Sequence, residues 1–134
     1  MRIMLDTNIL ISMIFFPSEQ TRKLAKILGE CYRIVLCDYV ITELQLVVKR
    51  KFSSRKKALD QFLNELPYDL IRTAKITSGE GIPEIRDKKD FPILATAITE
   101  DVDIILSGDK DFLVLTTKKP KILTMTEFLA QYDR

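Results

Sequence analysis

Four carboxylates in this chain occupy positions that a parallel sheet would bring to one edge: Asp6, Glu43, Asp90 and Asp109. Asp6 ends the apolar run Ile3-Met4-Leu5, and Asp109 lies two residues beyond Ser107, which closes the run from Asp103. Asp90 directly precedes the apolar stretch that begins Phe91-Pro92-Ile93, and Glu43 lies among Val40, Ile41, Leu44, Val47 and Val48. Two carboxylates about 5 Å apart repel by roughly 3 kcal/mol at an effective dielectric of 20. A convergence of four is tolerable only if cations share the site or protonation relieves it. The sequence has no His, so acid-base work falls to carboxylates, Lys, Tyr or metal-bound water. Oxygen-only ligation suits hard cations, Mg2+ or Mn2+, which lower the pKa of bound water and stabilise charge in phosphoryl displacement.

Each acid also has a purely structural use when taken alone. Asp6 can cap a helix, Asp90 is a good N-cap before Phe91-Pro92, and Asp109 and Asp111 in Ser-Gly-Asp-Lys-Asp can be turn residues. Glu43 resists such a reading. On a helical wheel it falls at the margin of the apolar stripe, where a partly buried carboxylate is costly without a partner.

The elements that must position these acids follow from apolar patterning. Ile3–Leu5 reads as a buried strand, and Asn8 to Phe16 as a short helix or turn stopped by Pro17. Ser18 can cap a helix from Glu19 to about Gly29 with Leu24, Ile27 and Leu28 on one face. Ile34–Leu36 is a second strand, after which Asp38 caps a helix reaching about Arg50. Ser54 starts another helix that ends before Pro67, and Leu70-Ile71 is a weak third strand. Thr77 to Lys89, with Gly79, Gly81 and Pro83, reads as a loop. Asp90 opens a helix through about Glu100; Asp103–Ser107 and Lys121–Thr124 are strands, and Thr126–Tyr132 closes the chain as a helix. Strands alternating with helices imply a three-layer α/β sandwich around a mostly parallel sheet. Such sheets bind ligands outside the carboxyl ends of their strands. Glu43 would then sit about five residues into the helix after strand two, roughly 7 Å from its start.

Size and composition set the frame. At 134 residues the chain is read as one domain, 1–134. An apolar fraction of 46% with 30% charged residues argues against disorder, and no apolar run approaches the roughly 20 residues that span a bilayer. A carboxylate at the sixth position argues against a signal peptide. Cys31 and Cys37 read as reduced, buried thiols, and the expected location is the cytoplasm. The net charge of +2 does not announce a polyanion binder, but Lys49, Arg50, Lys51, Arg55, Lys56 and Lys57 fall within nine residues. They read either as a solvated turn between two helices or as a phosphate-steering patch.

The sequence resembles the PIN-domain ribonucleases, in particular the bacterial and archaeal toxin-type members, over essentially its whole length. The resemblance rests on Ile-Met-Leu-Asp-Thr-Asn, the Glu43 helix, Asp90-Phe-Pro-Ile-Leu-Ala-Thr-Ala and Leu-Ser-Gly-Asp-Lys-Asp-Phe, in this order and spacing. It implies a parallel sheet of about five strands between helices, and metal-dependent cleavage of single-stranded RNA by Asp6, Glu43, Asp90 and Asp109 holding one or two ions. It further implies supporting roles for Asn8, Ser107 and Asp111, an antitoxin partner that blocks the site, and a homodimer. In Asp87-Lys88-Lys89-Asp90 either acid could serve; Asp90 is preferred because it directly opens the helix, with Asp87 as the fallback.

Two other classes compete. An aspartyl-phosphate enzyme also places Asp after its first strand, but its phosphohydrolase form needs a second Asp two residues later, where Asn8 stands. A catalytically idle RNA- or protein-binding module of the same fold would be expected to lose some of its acids, and all four are present.

Overall fold

A computed structural model describes residues 1–75, 82, 85, 88–115, 117 and 119–133. Its centre is set by three short apolar runs. β1 (Arg2–Leu5), β2 (Arg33–Cys37) and β4 (Ile104–Leu106) are buried almost throughout, as strands covered on both faces must be. β3 (Tyr68–Ile71) and β5 (Lys121–Leu123) have mixed burial and form the edges. The order is β3-β2-β1-β4-β5 and every pairing is parallel. Ile3 lies opposite both Ile34 and Ile104, which fixes the register of the central strands.

Helices supply the crossovers that parallel pairing requires. α1 (Thr7–Phe15) and α2 (Glu19–Cys31) join β1 to β2. α3 (Asp38–Lys51), a 3-10 turn (Ser53–Arg55) and α4 (Lys56–Glu65) join β2 to β3. α5 (Phe91–Thr99) precedes β4, α6 (Lys110–Leu113) separates β4 from β5, and α7 (Met125–Tyr132) follows β5. The result is the expected three-layer α/β arrangement around a parallel five-stranded sheet. Among the described residues no helix is long and apolar enough to cross a membrane.

Several local expectations hold, and others shift. Ser18 and Thr21 form a capping box at the start of α2, which buries Leu24 and Leu28. Asp38, expected to cap α3, is instead its first residue; Cys37 holds the cap position without a side-chain bond. The Asp38 carboxylate turns to Thr73, accepting from its amide at 2.8 Å and from its hydroxyl. The second helix of the pair starts at Lys56 rather than Ser54, because Ser53–Arg55 takes the tighter 3-10 turn. Of the two cysteines, Cys37 is buried as expected, but Cys31 is exposed at the end of α2. There the chain leaves the amphipathic face on which Leu24 and Leu28 are buried.

A short strap after β3 fixes the helices that carry two of the acids. The Thr73 hydroxyl also accepts from the Tyr39 amide at 3.0 Å, tying the strap to α3. The next residue, Ala74, donates its amide to the Thr96 hydroxyl of α5 at 2.8 Å, and that hydroxyl donates to the Pro92 carbonyl at 2.6 Å. Thr96 is fully buried in the middle of α5. Thr96→Val keeps the shape but strands the Ala74 amide, and should destabilise the fold by about 1–3 kcal/mol. Chemical denaturation checks this, with Thr96→Ser as the near-neutral control; equal stability of Val and Ser variants would contradict it.

Candidate metal-binding carboxylate site

The strand order marks the edge where sheets of this kind bind ligands. The chain winds outward from β1 to β2 and β3, then crosses to β4 and β5 on the other side. The reversal lies between β1 and β4, where doubly wound sheets open a crevice at the carboxyl ends of their strands. Asp6 follows β1 and Ser107 follows β4 at that point. The backbones are joined there by the Asp6 amide donating to the Leu106 carbonyl at 3.2 Å.

Asp6 is 4% exposed, and one of its oxygens does cap α1, accepting from the Ile9 amide at 2.9 Å. The other oxygen accepts from the Ser107 hydroxyl. Ser107, itself fully buried, accepts in turn from the Asp109 amide at 3.0 Å. One hydroxyl therefore sets both the first acid and the backbone that carries the fourth. The helix-cap reading of Asp6 holds for one oxygen, and the other reaches across the seam to β4.

Burial pushes the Asp6 carboxyl up to about 6. The bonds from Ser107 and Ile9 pull it down, and the negative fields of Asp109 and Glu43 raise it further. The structure thus brings Asp109 and Glu43 within electrostatic reach of Asp6. Glu43 is half-buried in the second turn of α3, as the helical wheel predicts, and forms no ion pair among the described residues. Asp109 is half-buried just before α6, a helix that the turn-like Ser-Gly-Asp-Lys-Asp does not announce; its carbonyl accepts the Phe112 and Leu113 amides.

Asp90 stands at the cap position of α5, half-buried, but makes no side-chain capping bond because its backbone is already helical there. Capping therefore does not account for its carboxylate. Since α5 leads into the amino end of β4, its first residue faces the carboxyl edge, and α5 packs against the Glu43 helix α3. Asn8 is exposed on the first turn of α1. Asp87 and the side chain of Asp111 lie outside the described residues.

Among the described residues, no three carboxylate or thiol side chains lie close enough to make a ready metal cluster. The chemistry of the donors nonetheless fits a hard cation. A carboxylate is buried at a crevice with two further carboxylates acting on it and only neutral donors bonded to it. The six basic residues from Lys49 to Lys57 are all exposed, around the turn between α3 and α4, away from the acids along the same helix. Two surface grooves, of about 490 and 640 Å3, lie between α3 and α4 and between α2 and α7; none of the four acids lines either.

The Asp6 carboxyl gives a pH test in the presence of chelator. A folded pKa raised to about 6 from 3.8 means the folded state holds the extra proton between those values. Its contribution therefore favours folding at low pH and is lost as pH rises through that window. Asp6→Asn removes this term, so its stability relative to wild type should rise by roughly 2 kcal/mol from pH 4 to pH 7. Denaturant midpoints across that range measure it; a pH-independent difference would contradict the burial of a titrating carboxylate.

The PIN domain family profile matches residues 2–111. A chain of VapBC2 from Rickettsia felis, solved bound to a DNA fragment from its promoter, shares the fold at a TM-score of 0.67. It is 20% identical, and the likeness covers 92% of this chain and 97% of that one. No curated protein matches. With the family profile spanning β1 into the start of α6 and including all four candidate acids, the chain belongs to the PIN-domain family.

Proposed function

We propose that residues 1–134 form one PIN-like nuclease domain that hydrolyses single-stranded RNA with Mg2+ or Mn2+, as the toxin of a toxin–antitoxin pair. The observation that carries this reading is the buried Asp6 carboxylate at the β1–β4 crevice, acted on by Asp109 and Glu43. Family membership supports a nuclease, and the likeness to a chain of VapBC2 supports an antitoxin partner. The reading carries with it a cytoplasmic location and a homodimer.

In this reading Asp6, Glu43, Asp90 and Asp109 hold the ion, which when bound supplies an acidified water and offsets charge on the scissile phosphate. The chain's own residues prepare that step. Ser107 and the Ile9 amide fix the two oxygens of Asp6, so the carboxylate does not have to reorganise. The Ser107–Asp109 contact sets the α6 turn against the same seam. The strap through Thr73 and Ala74 holds α3 and α5, and with them Glu43 and Asp90, against the crevice. In the same reading Asn8, exposed at the first turn of α1, contacts substrate and Asp111 is a supporting acid.

The test is cleavage of mixed RNAs with and without Mn2+, followed by sequencing of the ends. Wild type should cut only with metal, and Asp6→Asn, folded by circular dichroism, should lose detectable cleavage. Cutting by Asp6→Asn at the wild-type rate would overturn the site. Retained RNA binding with no metal-dependent cleavage by wild type would instead mark a binding module.

A further inference from the structure

The turn between α3 and α4 brings exposed cations beside an exposed aromatic side chain at the end of α1. Phe15 and Phe52 stack with ring centroids 4.4 Å apart and planes 8° from parallel. This contact locks the C-terminal end of α1 to that of α3. Phe16 meets Phe52 edge-on at 6.2 Å yet is 61% exposed. The Arg55 guanidinium sits 5.2 Å from the Phe15 ring centre. Lys49 and Lys56 line the groove between α3 and α4. None of the six cations from Lys49 to Lys57 forms an ion pair with a described residue. Six exposed positive charges beside an exposed aromatic face match a single strand, which needs phosphates neutralised and bases stacked. An apolar protein partner would find this surface too charged, and an acidic one would leave the Phe16 ring unused.

The distance from the acids is also informative. α1 begins after Asp6 and α3 carries Glu43, and the two pack together and meet at Phe15 and Phe52. At 1.5 Å per residue, Phe16 lies about 15 Å along the axis from Asp6, and Lys49 about 9 Å from Glu43. At the stacked rise of roughly 3.4 Å, that spans about three or four nucleotides.

We infer that the Phe16 ring and the surrounding cations form a docking platform for single-stranded RNA, seating a base about three or four nucleotides from the phosphate at the carboxylates. This rests on reading the acids as the centre of an RNA nuclease. The platform sets which strands are held, and for how long, without touching the reacting atoms.

The experiment measures binding of a short unstructured fluorescent RNA in EDTA, where no cutting occurs, and cleavage in Mn2+. Phe16→Ala and Phe16→Leu should each weaken single-strand binding roughly 5- to 100-fold, and Phe16→Tyr should restore it. Duplex RNA should be insensitive to all three. The triple charge reversal K49E/R50E/K51E should weaken binding and flatten its salt dependence by roughly 0.7 per lost phosphate contact. In cleavage, Phe16→Ala should raise KM with kcat little changed, and substrates truncated to two nucleotides on the platform side should no longer distinguish it from wild type. Binding losses of this pattern without any metal-dependent cleavage by wild type would uphold the platform while defeating the nuclease reading. Normal cleavage with unchanged single-strand affinity in both variant sets would overturn the platform and leave that face to another partner. Equal losses on duplex and single strand for Phe16→Ala would overturn base stacking.

Discussion

A carboxylate with almost no access to water is the costliest single feature of this fold, and Asp6 is that carboxylate. Burial disfavours its charge, and the surrounding structure only partly offsets the cost, with one backbone amide and one hydroxyl. The opposite edge of the same sheet shows what ordinary structural acids look like. There Asp103 accepts the Arg2 amide and meets Lys119, which also pairs with Asp101. The amide and the lysine hold the Asp103 carboxyl below the usual range. Acids at the amino edge are thus settled by cations within the chain. Asp6 is settled by neutral groups and burdened by Asp109 and Glu43. That asymmetry across one sheet is the physical argument for an external cation.

Ser107 makes the arrangement specific rather than merely tolerable. Parallel pairing of β1 with β4 brings Leu5 beside Leu106, so the residues that follow them emerge at one seam. A hydroxyl at the end of β4 can then reach Asp6 with its proton and Asp109 with its lone pair. The helices extend the consequence outward. α1 starts on Asp6, α3 carries Glu43, and their far ends are joined by the Phe15–Phe52 stack beside the basic turn. The same two helices that present acids at one end present cations and an open ring at the other.

Most of the architecture was legible in the sequence because the central strands are continuous apolar runs. Ile3–Leu5, Ile34–Leu36 and the run ending at Ser107 needed only hydropathy, and Ser18 announced α2. What escaped was set by contacts distant in sequence. Asp38 looks like a cap, and nothing nearby shows that Thr73 will claim its carboxylate. Thr96 sits in Phe-Pro-Ile-Leu-Ala-Thr-Ala as a lone hydroxyl in an apolar run; that oddity was the available signal for the strap that binds Ala74. α6 hides in a segment rich in turn formers, where Phe112, fully buried, supplies the anchoring that local propensity lacks. For the site, the candidate acids could be chosen by strand order and Asp6 could be read as a cap, but the role of Ser107 as bridge required the register of β1 on β4. Exposure of Cys31 depended on which face of α2 meets the core, which the last turn of a helix leaves open.

The central claim is that the carboxyl-edge acids form a cation site, and direct titration of Mn2+ tests it without reference to any substrate. Free Mn2+ followed by electron paramagnetic resonance should fall saturably on addition of wild-type protein. Asp6→Asn should bind at least tenfold more weakly, and charge reversal at Lys49, Arg50 and Lys51 should leave binding intact. Equal Mn2+ affinity in wild type and Asp6→Asn would contradict the account.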